Sequence, residues 1–212
     1  MTDFFEAPPR PPEPEFVEPP QQPWWGPPIN VLGASLALDL LLARSEDAAV
    51  SLERFAAYPS GFGFSLMIRG RTEQSGWQFD ESLSGPWRHR PDRADLQSER
   101  LRFGIQFADG SKATNLYLTH AEPGDTPAAP VLQERGGGGG GRRWDQDYWV
   151  WPLPPPGPLA FVTEWPSQQI PLTRVEIDAE LILEAVSRAQ VLWEEREPGP
   201  STGSVWRPLE PR

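Results

Sequence analysis

The sequence predicts a mainly β protein: an antiparallel β-sandwich, Ig-like or jelly-roll-like in architecture, with one C-terminal α-helix and disordered termini. Three observations predict it. Apolar residues alternate with period two in several short runs, Phe62, Phe64, Leu66 and Ile68 being the cleanest. Turn residues punctuate these runs at short intervals, with no strand–helix alternation to suggest a parallel sheet. Ten tryptophans and ten phenylalanines in 212 residues call for a packed core. A partly open barrel is the alternative architecture.

Residues 1–28 form a proline-rich extended arm. Its prolines fix φ and remove donors, which excludes helix and central strand and favours polyproline II. Pro8 to Pro11 and Pro9 to Pro12 match PxxP, a ligand pattern for aromatic grooves, although such matches are common in any proline-rich tract. Trp24 and Trp25 are expected to dock on the domain that follows.

The β domain spans 29–194. Leu36, Leu38, Leu40 and Leu42 predict a first strand, and Arg44 to Asp47 a turn. In the second strand Val50 and Leu52 lie on one parity and Phe55 and Ala57 on the other, which predicts a bulge near Glu53-Arg54. Tyr58 to Gly61 turns the chain into the Phe62–Ile68 strand. Residues 70–100 are polar and irregular, with Trp77, Phe79, Leu83 and Trp87 as anchors and a basic island from Arg88 to Arg93. Leu101 to Phe107 and Lys112 to Leu118 form a hairpin about Asp109-Gly110, and Glu122 to Pro130 is a loop.

Val131 to Arg135 and Arg142 to Trp151 are the next strands, joined by the six glycines Gly136 to Gly141 as a mobile hairpin loop. Pro152 to Pro158 ends the ladder. Leu159 to Trp165 and Thr173 to Ile177 follow. Asp178 caps a helix over 179–194 whose apolar face is Leu181, Ile182, Ala185, Val186, Ala189, Leu192 and Trp193. Residues 195–212 are a disordered tail.

Composition narrows the function. A net charge of −11 makes nucleic acid a poor partner. No cysteine means no disulfide, thiol nucleophile or zinc–cysteine site. No leader pattern and no apolar run of membrane-spanning length is visible, so the expected setting is the cytoplasm. His89 and His120, the two histidines, sit in no triad or HExxH context.

Ala57-Tyr58-Pro59-Ser60-Gly61-Phe62, Phe103 to Gly110, Lys112 to Asn115 and the block Arg135 to Pro166, with its Arg–polyglycine–Arg-Arg-Trp-Asp core, resemble a family of actinobacterial proteins. The resemblance covers most of 30–193. It implies one β domain with a proline-rich arm, and it implies no chemistry.

Candidate site residues cluster around the glycines. Arg135, Arg142 and Arg143 leave an anion contact possible, but the P-loop and dinucleotide patterns need a helix after the glycines and here a strand follows. Asp145 and Asp147 share a strand face about 7 Å apart, a spacing suited to joint metal ligation with a third group such as Glu164, or to glycoside hydrolysis. Ordinary acids on the solvent face of a strand are the preferred reading of the pattern. Trp149 and Trp151 share that face, opposite Trp144, Gln146, Tyr148 and Val150, which are expected to face the core. A Trp–Asp strip suits a sugar- or peptide-binding face, unless Trp24-Trp25 or the helix covers it. These readings favour a non-enzymatic interaction module that meets a protein partner through its proline-rich arm. A carbohydrate- or small-ligand-binding sandwich is second and a metal-dependent hydrolase a distant third. No cofactor is implied.

Overall fold

Two antiparallel sheets face each other across an aromatic layer, and the strand parities read from the sequence decide which side chains enter it. The structure is a computed structural model, and it describes residues 21–72, 100–116 and 126–194. The PxxP arm, the anchors Trp77 to Trp87, the Arg88–Arg93 island, both histidines and the 195–212 tail lie outside the described residues.

The strands, in chain order, are β1 (Val31–Leu32), β2 (Ala34–Ser35), β3 (Leu40–Arg44), β4 (Ala48–Tyr58), β5 (Gly61–Gly70), β6 (Arg102–Gln106), β7 (Lys112–Thr114), β8 (Val131–Gly140), β9 (Arg143–Trp151), β10 (Pro158–Trp165), β11 (Ile170–Asp178) and β12 (Gln190–Val191). One helix, α1 (Glu180–Val186), sits between the last two. The first sheet runs β2-β4-β5-β9-β8, with β3 beside β2 along the same edge of β4; the second runs β11-β10-β6-β7. Both are open, so the architecture is a sandwich and not a closed barrel.

Phe55, Phe64 and Tyr148 from the first sheet meet Phe103 and Phe161 from the second. Ring centroids lie 5.4–6.0 Å apart across the gap, mostly edge to face, the preferred arrangement for aromatic pairs. The inner parity of β5 (Phe62, Phe64, Leu66, Ile68) is fully in the core, as its alternation predicts.

Three elements depart from expectation for physical reasons. The first strand is split: β2 pairs with Ala56 and Ala57 and β3 with Ala49 to Leu52, and the gap between them lies opposite a bulge in β4. The glycine run is not a mobile loop but the second half of β8, paired with β9 as far as Gly140↔Arg143. The helix has 7 residues rather than sixteen. Asp178 Oδ1 accepts from Glu180 N at 3.0 Å as the expected cap, yet Ala189 N donates to Val186 O and the chain then turns to pair Val191 with Val31. Leu192 and Trp193 therefore leave the helical face and are exposed.

Gln22–Trp193 forms the compact unit, which takes in the last residues of the proline-rich stretch. Among the described residues no helix is long and apolar enough to cross a membrane.

Candidate functional site

β9 alternates, and its register with β5 sorts it completely. Trp144, Gln146, Tyr148 and Val150 oppose the inward Ile68, Leu66, Phe64 and Phe62, so Asp145, Asp147, Trp149 and Trp151 stand on the outer face of the sheet. Beside them on that face run Gly61, Gly63, Ser65 and Met67 of β5, then Glu53, Ala56 and Tyr58 of β4. The face has a charged half and an aromatic half.

The charged half is organised by a residue that composition does not single out. Glu53 pairs with Ser65 and Ala56 with Gly63, so Arg54 and Phe55 together oppose one residue of β5: the bulge expected near Glu53-Arg54. Arg54 takes φ 58°, left-handed for a residue with a Cβ. Phe55 turns into the core and Arg54 stays outside. Its Nε donates to Ser65 Oγ at 2.8 Å and its Nη2 to Asp145 Oδ2 at 2.9 Å, with Asp147 Oδ1 at 3.5 Å. The buried Ser65 hydroxyl passes a hydrogen bond on to Asp147.

One guanidinium thus holds both aspartates. These groups are substantially solvated, so each pair contributes under about 1 kcal/mol, and the network orients side chains more than it stabilises the fold. The third carboxylate of a metal site is not here. Glu164 lies on β10 in the other sheet, bonded to Arg102 at 2.5 Å. Among the described residues no three acids or histidines are placed to hold a metal.

The aromatic half is occupied by the chain itself. Pro23 at the second position of a turn, closed by Trp25 N→Gln22 O at 3.0 Å, lays Pro23-Trp24-Trp25 on the outer face. The proline-rich stretch is therefore bent here rather than a continuous polyproline II helix. Trp149 Nε1 donates to Pro23 O at 2.9 Å, Trp24 meets Trp151 edge to face at 5.6 Å, and Tyr58 meets Trp149 at 5.4 Å. Gly61 makes room, since a Cβ there would approach the Trp149 ring to 2.8 Å. Trp149 is only 1% exposed and Trp151 half-buried. Of the two coverings anticipated for this strip, Trp24-Trp25 provides the one observed.

Covering one large aromatic is worth on the order of 5 kcal/mol, from about 200 Å² at about 25 cal/mol/Å². Ordering half a dozen residues costs on the order of 1 kcal/mol each, less where proline has already fixed φ. Gain and cost nearly cancel, so the individual contacts decide how firmly the segment sits.

The arginines do not converge on one anion. Arg135 donates to Trp25 O at 2.6 Å and so belongs to the aromatic half. Arg142 lies in the turn at the far end of the glycine strand and donates to Arg71 O at 3.0 Å. Arg143 begins β9 beside that turn, opposite Arg69 of β5.

A second polar group lies between the sheets and was not signalled by any motif. Glu134 on β8 accepts from the buried Tyr148 hydroxyl at 3.4 Å. Burial pushes the Glu134 carboxyl above the usual range, against the opposing effects of the Tyr148 hydrogen bond and Arg100. Burial, then the Glu134 charge, pushes the Tyr148 hydroxyl well up.

No known protein family, curated protein or solved structure matches the chain, so what the face does must be argued from its geometry.

Proposed function

We propose that the chain is a non-enzymatic interaction module whose outer sheet face, centred on Tyr58, Trp149 and Trp151, binds polypeptide. The observation that carries this reading is the segment already there. A tryptophan N–H, an arginine and the Trp151 ring hold a backbone turn through its carbonyls and an indole, which is how a surface recognises peptide.

The carbohydrate reading needs Trp149 and Trp151 as open stacking platforms, and both are engaged with the Pro23–Trp25 segment. The hydrolase reading needs carboxylates with separate roles, whereas Asp145 and Asp147 share Arg54. Polypeptide is also the partner class that suits the acidic balance of the chain, which disfavours nucleic acid.

The test is a photocrosslinking side chain in place of Trp151 in the full-length protein, with a glycan array on the unmodified chain. Polypeptide adducts at position 151 and a silent array are expected. Sugar binding that disappears in Trp149→Phe would replace this reading with the carbohydrate one.

A further inference from the structure

The resident segment also identifies the ligand. We propose that the groove of Tyr58, Trp149, Trp151 and Arg135 is a binding site for a proline-initiated tryptophan turn, and that its ligand in trans is residues 22–28 of a second copy of this chain. The proposal rests on the reading of this face as a polypeptide-binding surface.

The contacts define what the groove recognises. Pro23 fixes the turn that aims two carbonyls at the sheet, its own at Trp149 Nε1 and that of Trp25 at Arg135. The indole of Trp24 takes the edge of Trp151. Gly26 lets the Arg135 guanidinium lie against the backbone, since a Cβ there would come within 2.7 Å of Arg135 Cζ. The contacts read a proline-initiated turn with an indole at its third position, and Pro23-Trp24 is the Pro-Trp pair that the turn closed by Trp25 N→Gln22 O presents to the sheet.

Every contact is non-covalent and reaches the sheet from a segment upstream of β1. The same contacts form equally well when the segment comes from another copy, the exchange that makes domain swapping a low-cost route to dimers. The cis arrangement is favoured only by its tether, equivalent to a local concentration of about millimolar for a short connection. Weakening the cis segment in one copy and the groove in another removes that advantage.

The experiment mixes two full-length variants. Trp24→Ala keeps the groove and spoils the segment; Trp149→Phe keeps the segment and removes the N–H that holds it, with Trp151→Ala as a second groove variant should Trp149→Phe lose its fold. Sedimentation at a concentration where each variant alone is monomeric should show a heterodimer in the mixture. A peptide of residues 21–30 should bind the Trp24→Ala chain at least about tenfold more tightly than the wild type, where the cis segment competes. The proposal is overturned by a mixture no heavier than its folded components, or by equal peptide affinity for the two chains. Crosslinks at position 151 without either effect would leave a polypeptide-binding face and remove this ligand.

Discussion

Arg54 adopts a backbone conformation that its own side chain disfavours, and what it gains is position: from the left-handed bulge its guanidinium reaches Ser65, Asp145 and Asp147 together. Left-handed φ costs a residue with a Cβ on the order of 1 kcal/mol and costs glycine almost nothing. Arg54→Gly and Arg54→Ala lose the same ion pairs, so their difference leaves the strain against the extra unfolded-state freedom of glycine. Denaturant unfolding should find the glycine variant more stable by about 1 kcal/mol even though glycine's looser unfolded chain favours alanine; an alanine variant more stable by up to about 1 kcal/mol would show that the backbone is not strained there. The bulge was legible in the sequence because Val50 and Leu52 give way to Phe55 and Ala57 on the opposite parity. Its partners were not, because Ser65 and Asp145 become neighbours of Arg54 only through strand register. Trp149 and Trp151 were legible as sharing a face with the aspartates, and Trp24-Trp25 was one of the two coverings expected for them, the helix being the other. The bond from Trp149 to the Pro23 carbonyl has no sequence signal, since any residue can offer a carbonyl.

Among the elements, β8 is the one whose composition misleads. Glycine favours loops on entropy, yet here every second glycine answers a steric demand. A Cβ on Gly139 would come within 2.3 Å of Arg143 O and 2.7 Å of Trp144 Cα, and one on Gly137 within 2.8 Å of Asp145 O. Gly136, Gly138 and Gly140 have nothing within 4 Å. The run is thus a strand with a bare inner face on which Gln146 and Trp144 lie, and Gly141, with φ 61°, makes the turn into β9. Gly139→Ala should lower stability by about 1–3 kcal/mol, the usual cost of forcing atoms into occupied space. Gly138→Ala should be neutral or stabilising by up to about 1 kcal/mol through the unfolded chain. A thermal melt of both variants checks this, and equal losses would restore the loop reading. The helix misled in the other direction. Its 3.6-residue period continues to Trp193 in the sequence, but pairing of Val191 with Val31 takes the chain out of the helix. That two-stranded ribbon exposes Leu32 at 57% and Val191 at 65%. Two strands alone are marginal, so its amides should exchange with solvent well before those of β5; protection equal to β5 would contradict this.

At the scale of the whole molecule, stability depends on keeping the two sheets together, and Glu134 and Tyr148 are titratable groups in that interface. Glu134 faces inward from β8, beside Tyr148 of the same sheet and Arg100 ahead of β6 in the other. Burial raises its folded-state pKa above the unfolded value, which is about 4.3 for glutamate. The folded protein therefore binds this proton more tightly than the unfolded chain does. The contribution is fully present below the unfolded pKa and is lost as pH rises through the folded one. Glu53, on the outer face, has the opposite sign. Its hydrogen bond from Arg69 is the largest influence and lowers its pKa, so its contribution is present above the unfolded value and is lost as pH falls through the folded one. The two effects overlap in mild acid, and substitution separates them. Glu134→Gln keeps an acceptor for the Tyr148 hydroxyl and removes the charge that burial penalises. Its melting temperature should match the wild type near pH 3 and exceed it increasingly as pH rises past about 4.3. Melting curves from pH 3 to 7 on both proteins provide the check. A wild type more stable than Glu134→Gln at neutral pH would mean that attraction to Arg100 outweighs burial, and that the carboxylate binds the two sheets together as an ion.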